Sequence, residues 1–487
     1  MSAVQRIARN TALLIGSNVV SFILGFFFTM YIARYLAAQG FGVLSFAMGF
    51  TAIFGVLTDI GLQGLMIREI TRDKSLAPKY VGNIAALKVL LCIITFGLIA
   101  LTAHLAHYPA ETIRVVYLIA LSVIFGAFSG MFYGLFRAHE RMEFEAVGGI
   151  LGGALLIAGA FWCISHGYSV VGFAWVSLVV SIIITGYCFA VSAWKFTVPR
   201  FEVDLGFWKE MLKRAWPFAL GGIFLTIYMW IDLVMLSAMK GNEAVGWYNA
   251  SYRLILILLF IPTAYFGAVF PIMSRLHFSS QEFLRFIHEK SFKYLLMLGV
   301  PIGVGTTILA NKIILLIYGV GYVNSTIALQ ILVWSMVFAF IGGVFTNLFQ
   351  SVNRQMILAW VLGSATVWKV VLNLVLIPGH SYTGASIATL ASGFVVLALS
   401  FIWSSRIGYG ISIKNTLGII IRVFIASAVM GLPVYYFKNF YILALVPLAA
   451  LLYLAVLYII GGIDKEDTGL LRSVAKKQLP STTEDNK

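Results

Sequence analysis

The chain has 487 residues, of which 61% are apolar and only 11% charged. A soluble protein carries roughly 25% charged residues, so this composition excludes a soluble globule and points to an integral membrane protein. Three cysteines, Cys92, Cys163 and Cys188, lie in or near long apolar runs and exclude a disulfide scaffold. The net charge of +15 sits in loops and not in basic–aromatic runs, so nucleic acid is not expected as a partner.

A helix needs ~20 apolar residues to cross the hydrocarbon. Fourteen segments qualify in chain order: Ala12–Leu36, Gly42–Ile67, Val81–His104, Ile113–Phe136, Ala146–Ser165, Val170–Trp194, Ala215–Met239, Val245–Met273, Tyr294–Ala310, Thr326–Phe349, Met356–Ile377, Gly384–Ser405, Leu417–Phe437 and Tyr441–Gly462. The expected fold class is therefore an all-α integral membrane protein of about fourteen transmembrane helices. The first apolar run is too long for a signal peptide and no A-x-A site follows it.

Orientation follows from Lys and Arg. With the N-terminus in the cytoplasm, twenty-six of the 34 basic residues fall at inner ends and loops and five at outer ends. Arg253, Lys369 and Arg422 remain inside spans. Both termini are expected in the cytoplasm, in a plasma membrane.

The chain repeats itself. LFRAHER at 135–141 matches LFQSVNR at 348–354, and GFAWVS from Gly172 matches GASIAT from Gly384. Gly42 in FGVLSFA aligns with Gly246 in VGWYNAS. Two six-helix lobes of one orientation follow, expected over residues 1–210 and 211–414, with two more helices over 415–463 and a cytoplasmic tail over 464–487. Such a repeat suits a transporter, with a path between lobes that open alternately to the two sides.

Charge inside hydrocarbon costs ~2.5–3.5 kcal/mol per group, so the few examples are informative. Asp232 and Arg253 flank one outer turn at equal depth, which fits either a buried ion pair or a cationic site tuned by the carboxylate. Lys369 has no carboxylate in its own hairpin and is expected to face a watery cavity. Asn373 lies one turn from Lys369, and Asn249 one turn from Arg253, on the same faces. Arg34, at the outer end of the first span, is an interfacial anchor or a cavity residue. Asp59, two turns from Arg68, is expected in a helix-end contact, with ion coupling as the other role for it and for Asp232. Lys88 and Arg422 are expected to snorkel. His104 and His107 suggest no metal site without a third ligand. No catalytic residues and no cofactor are expected. The 137–145 stretch is a solvated loop or an inner latch between lobes.

The stretches IARYLAAQGFGVLSFA, DIGLQGLMIREITR, WPFALGGIFLTIYMWIDLVMLS and VGWYNASYRL, with LIYGVGYVNSTIAL, LFQSVNRQ and VLNLVLIPGHSYTGASIATLAS, resemble the oligosaccharide flippase family of polysaccharide export proteins. That resemblance implies two six-helix lobes around a central cavity. It also implies a substrate, an oligosaccharide joined through diphosphate to a polyprenol. The diphosphate would meet Arg34, Arg253 and Lys369, with Asp232, Asn249 and Asn373 beside them, and Tyr228, Trp230, Tyr248 and Tyr252 as sugar-stacking surface. Expected partners are that substrate, membrane lipids, and glycosyltransferases or a polymerase of the same pathway, the chain itself being a monomer. A cation-coupled multidrug antiporter of the same superfamily is the alternative, which would favour an acidic cavity. A membrane glycosyltransferase lacks support, because the short outer loops offer only Glu111 and Glu243.

Overall fold

The computed structural model describes residues 3–198 and 202–463, and every regular element among them is helical. The expected tail, 464–487, and Arg200 lie outside the described residues. In chain order the α-helices are α1 (Ala3–Gly55), α2 (Leu62–Arg72), α3 (Ala77–Leu105), α4 (Ala110–Ala138), α5 (Glu143–Ser165), α6 (Val170–Lys195), α7 (Leu205–Lys240), α8 (Asn242–Leu258), α9 (Phe260–Ser279), α10 (Gln281–Ile317), α11 (Ser325–Ser351), α12 (Gln355–Arg406), α13 (Ile413–Tyr436) and α14 (Ile442–Ile459).

Among the described residues 12 helical stretches are long and apolar enough to cross a membrane. Two of them contain a reversal. A straight helix of α1's length would run ~80 Å, far beyond the ~30 Å of hydrocarbon. Its backbone leaves the helical region at Ala37 (φ 53°, ψ −178°), and Thr29, Ile32, Leu44 and Ser45 line one cavity. Only a chain folded back on itself places those four together. In α12 the reversal is at Ser381 (φ 50°, ψ −132°), after Pro378. There a Cβ on Gly384 would stand 2.5 Å from the Leu376 carbonyl oxygen, so the returning arm needs glycine. Counting the arms separately gives the fourteen spans expected. Ile93, Leu101, Trp175, Leu432 and Leu451 are exposed. In water such residues would be buried, whereas lipid covers them in a bilayer, and the chain is a multi-pass membrane protein.

Two expected spans are broken. The apolar run Gly42–Ile67 stops at Gly55, passes through a short 3-10 turn at Val56–Thr58, and restarts as α2 after Ile60 and Gly61, both at positive φ. Asp59 therefore lies at a helix break and not inside a span. The run Val245–Met273 divides at Leu259 because Pro262 has no N–H to give the Leu258 carbonyl and its ring crowds that oxygen.

The repeat is visible in the backbone. Glu140 and Asn353, which match within the repeated heptapeptides, both take left-handed φ, 58° and 57°. The turns before Gly42 and Gly246 also match, at Ala37 (φ 53°) and Gly241 (φ 84°). The fold is two pseudo-symmetric six-helix lobes plus two C-terminal helices.

Packing divides the described residues into two compact units. One gathers those of Met1–Phe260, Ile314–Leu332 and Arg354–Val396, and the other those of Ile261–Ile313, Val333–Asn353 and Leu397–Lys487. The core of the first includes Leu62, Met66, Ile84, Leu135 and Phe136. Arg137 forks onto Glu145 through Nε (2.7 Å) and a second N–H, which staples α4 to α5 across the repeated turn.

Candidate functional site

Asp232, Arg253 and Lys369 all belong to the first unit, and they form two separate arrangements. The first is centred on Asp232 of α7, which is buried. A carboxylate taken out of water must be paired and hydrogen-bonded, and here both oxygens are saturated. Oδ2 accepts from the Lys369 ammonium at 2.6 Å, the Tyr248 hydroxyl at 2.7 Å and the Thr389 hydroxyl at 2.9 Å. Oδ1 accepts from the Asn373 amide at 2.7 Å. Lys369 also donates to the Tyr228 carbonyl at 2.8 Å and lies 4.5 Å from the centre of that tyrosine's ring. Tyr252 stacks on Tyr248 one turn along α8, with ring centres 5.8 Å apart.

The partner of Asp232 is thus Lys369 and not Arg253. Depth alone made Asp232 and Arg253 look like partners. Tyr248 and Tyr252, four apart, put one face of α8 against Asp232. Arg253 lies one residue further on, about 100° around the helix, and points elsewhere. Lys369 does not face a watery cavity, since it is buried between the two arms of α12 and α7. Thr389 carries no signal in the sequence beyond a hydroxyl in an apolar arm.

The second arrangement is Arg253 itself. Asn249, one turn before it on α8, donates to the Ser45 hydroxyl at 2.6 Å, so this face of α8 lies on the second arm of α1. The Arg253 guanidinium reaches Met48, with Nη2 3.9 Å from Sδ, and stands 6.0 Å from the centre of the Trp230 ring. It has no carboxylate partner among the described residues, and its Nε has no hydrogen-bond acceptor. It lines a mostly apolar cavity of about 280 Å³ with Thr29, Ile32, Leu44, Ser45 and Leu256. A guanidinium without a counter-charge beside open space is suited to receive an anion.

The remaining sequence candidates have other partners. Arg34 donates through Nε to the Ile317 carbonyl at 2.7 Å and through a second N–H to that of Leu316. It thereby closes the C-terminus of α10, where free carbonyls and the helix dipole favour a cation. Asp59 pairs with the Lys88 ammonium at 2.8 Å, while Arg68 is held by the neighbouring Glu69 at 2.8 Å. Lys88 does not snorkel, because its side chain is 1% exposed. Arg422 donates to the Gly461 carbonyl at 2.7 Å and remains exposed.

Residues 7–277 match the family model described as polysaccharide biosynthesis protein. A curated relative, the probable flippase AglR of Haloferax volcanii, is 23% identical over 403 residues, covering 80% of this chain and 81% of that one. Among solved structures, the lipid II flippase MurJ in an inward closed conformation aligns with a TM-score of 0.77 at 15% identity, covering 92% of this chain and 98% of that one. An inward-facing multidrug resistance transporter of the MATE family aligns with a TM-score of 0.64 at 15% identity, over 83% of this chain and 98% of that one. The structural likenesses establish the fold, and the family model spans more than half of the sequence: the chain belongs to the polysaccharide biosynthesis protein family.

Proposed function

We propose that the chain is a flippase, a transporter and not an enzyme, that moves a lipid-linked glycan across the cytoplasmic membrane. Its substrate is an oligosaccharide on polyprenyl diphosphate, and it works by alternating access between the lobes 1–210 and 211–414, with 415–463 as accessory helices. Family membership and the flippase relative support this reading. The single observation that carries the substrate's charge is Arg253, a cation beside a cavity without a carboxylate partner. The cavity suits a diphosphate and is too small for an oligosaccharide. Among the other site candidates, Asn249 holds the same helix face in place, whereas Asp232, Lys369 and Asn373 brace the helices, and Arg34 closes α10. Membrane lipids and the pathway's glycosyltransferases or polymerase are the proposed partners of a monomer.

A cation-coupled multidrug antiporter would need an available carboxylate inside the spans. Asp232 and Asp59 are each paired with a lysine, which disfavours that second reading.

The test uses purified protein in vesicles and a fluorescent polyprenyl-diphosphate glycan, scored by its accessibility to an external quencher. A charge-assisted contact contributes roughly 1.5–3 kcal/mol, so Arg253→Ala should weaken substrate binding about 10- to 150-fold. Its protein level should hold, because no oxygen among the described residues depends on that guanidinium. Arg253→Lys should keep part of the activity. Normal flipping by Arg253→Ala overturns the site.

The proposed topology has both termini in the cytoplasm. A reporter fused after residue 487 should be active only if it folds in the cytoplasm. Activity of the opposite kind of reporter, one that works only outside, excludes this orientation.

A further inference from the structure

The break between α1 and α2 gathers the donor atoms of a cation site, and a side chain fills it. The Lys88 ammonium donates to Asp59 Oδ1 at 2.8 Å and to the Thr58 carbonyl at 3.2 Å. Lys88 is 1% exposed and Thr58 is also buried, whereas the Asp59 side chain is 34% exposed. The carboxylate is therefore the site's open side, and the ammonium is its sealed side. Asp59 is held from behind, since Oδ2 accepts the Gln63 backbone N–H at 3.4 Å. Ile60, a β-branched residue at φ 40°, fixes the break in a conformation that costs energy elsewhere. Unwound helix carbonyls beside a carboxylate are the donor set that membrane transporters present to a coupling cation.

We propose that Lys88 is a tethered occupant of a monovalent-cation site at this helix break, so that removing the amine turns the site into one that binds Na⁺. The covalent ammonium gives Asp59 a permanent counter-charge. No ion needs to arrive or leave there during transport. Truncation at Lys88 leaves Asp59 without its counter-charge and the buried Thr58 carbonyl without its donor, both beside a space once filled by the lysine stem. A buried carbonyl that loses its donor, next to a carboxylate that loses its counter-charge, is destabilising. A hard cation restores the charge balance, with water from the open side of Asp59 completing its shell.

The experiment measures thermal unfolding of the full-length protein in detergent, in NaCl and in choline chloride at one ionic strength. The wild type should melt at the same temperature in both. Lys88→Ala should melt lower in choline and recover with Na⁺ in a saturable way, by roughly 2–4 °C at saturation. Asp59→Asn combined with Lys88→Ala should lose the Na⁺ response, and Lys88→Arg should show none. Equal melting of Lys88→Ala in the two salts overturns the proposal, as does a Na⁺-specific gain by the wild type. If Lys88→Ala gives no folded protein, Lys88→Ser is read in the same way, with cells grown and lysed in sodium medium. Failure of both variants in sodium overturns the proposal too, because a filled site must rescue folding. None of these outcomes depends on the flippase reading, since the readout is stability.

Discussion

Lys369→Ala should unfold well below the wild type, in the absence of any substrate and in any salt. The variant leaves Asp232 buried with its strongest donor gone, and breaking a buried pair by removing one partner costs ~3–5 kcal/mol. Asp232→Ala should be at least as damaging, because Tyr248, Thr389 and Asn373 lose their acceptor together with Lys369. A double replacement that removes both charges, Asp232→Asn with Lys369→Met, should regain most of the loss, since the desolvation of two charges disappears with them. The reversed pair Asp232→Lys with Lys369→Asp should regain less, because Tyr248, Thr389 and Asn373 are placed for an acceptor at Asp232's position. Melting temperature and the yield of monodisperse protein report all four. If Lys369→Ala melts with the wild type and only transport fails, Lys369 belongs to the substrate and not to the brace.

The sequence alone had put Lys369 on the substrate, and why it did so shows what apolar runs and charges reveal. Run length fixed the number of spans, since each crossing must be about as long as the bilayer is thick, and only the two reversals at Ala37 and Ser381 hide inside continuous helix. Counting residues from a turn gave depth, which brought Asp232, Arg253 and Lys369 to one level. Depth does not tell which way a side chain points. Whether α12's first arm or α8's Arg253 side meets Asp232 is set by tertiary packing, and a single sequence carries no record of it. The partner of Arg34 was invisible for another reason, since the end of α10 attracts it through backbone carbonyls that no residue letter marks. The break at Asp59 lies inside an unbroken apolar run, whereas Pro262 marks the break at Leu259 in the sequence itself.

Gly42→Ala and Gly246→Ala should each force apart the second arm of α1 and the start of α8. A Cβ on Gly42 would stand 1.7 Å from the Asn242 carbonyl oxygen, and one on Gly246 would stand 2.0 Å from that of Ala38. These contacts are reciprocal: Gly42 and Gly246 match in the repeat, as do Ala38 and Asn242, so the two halves meet about a local two-fold axis. Both obstacles are backbone, so neither can turn aside as a flexible side chain would. Overpacking of this kind costs typically ~1–3 kcal/mol, and the rigid opponents put these two at the upper end. The strain falls on one conformation, the one in which the arms touch. On the proposed topology they touch at the outer side, so the variants should favour the form in which that side is open. Ser45 lies three residues beyond Gly42, is fully buried, and bonds Asn249 across the same seam. In a protein whose three native cysteines are replaced, Ser45→Cys should react slowly with a membrane-impermeant thiol reagent. Adding Gly246→Ala should raise that rate about 5- to 150-fold, the population shift that such strain produces. A lower melting temperature with no change in labelling would mean that the glycines serve packing alone and that the seam does not open.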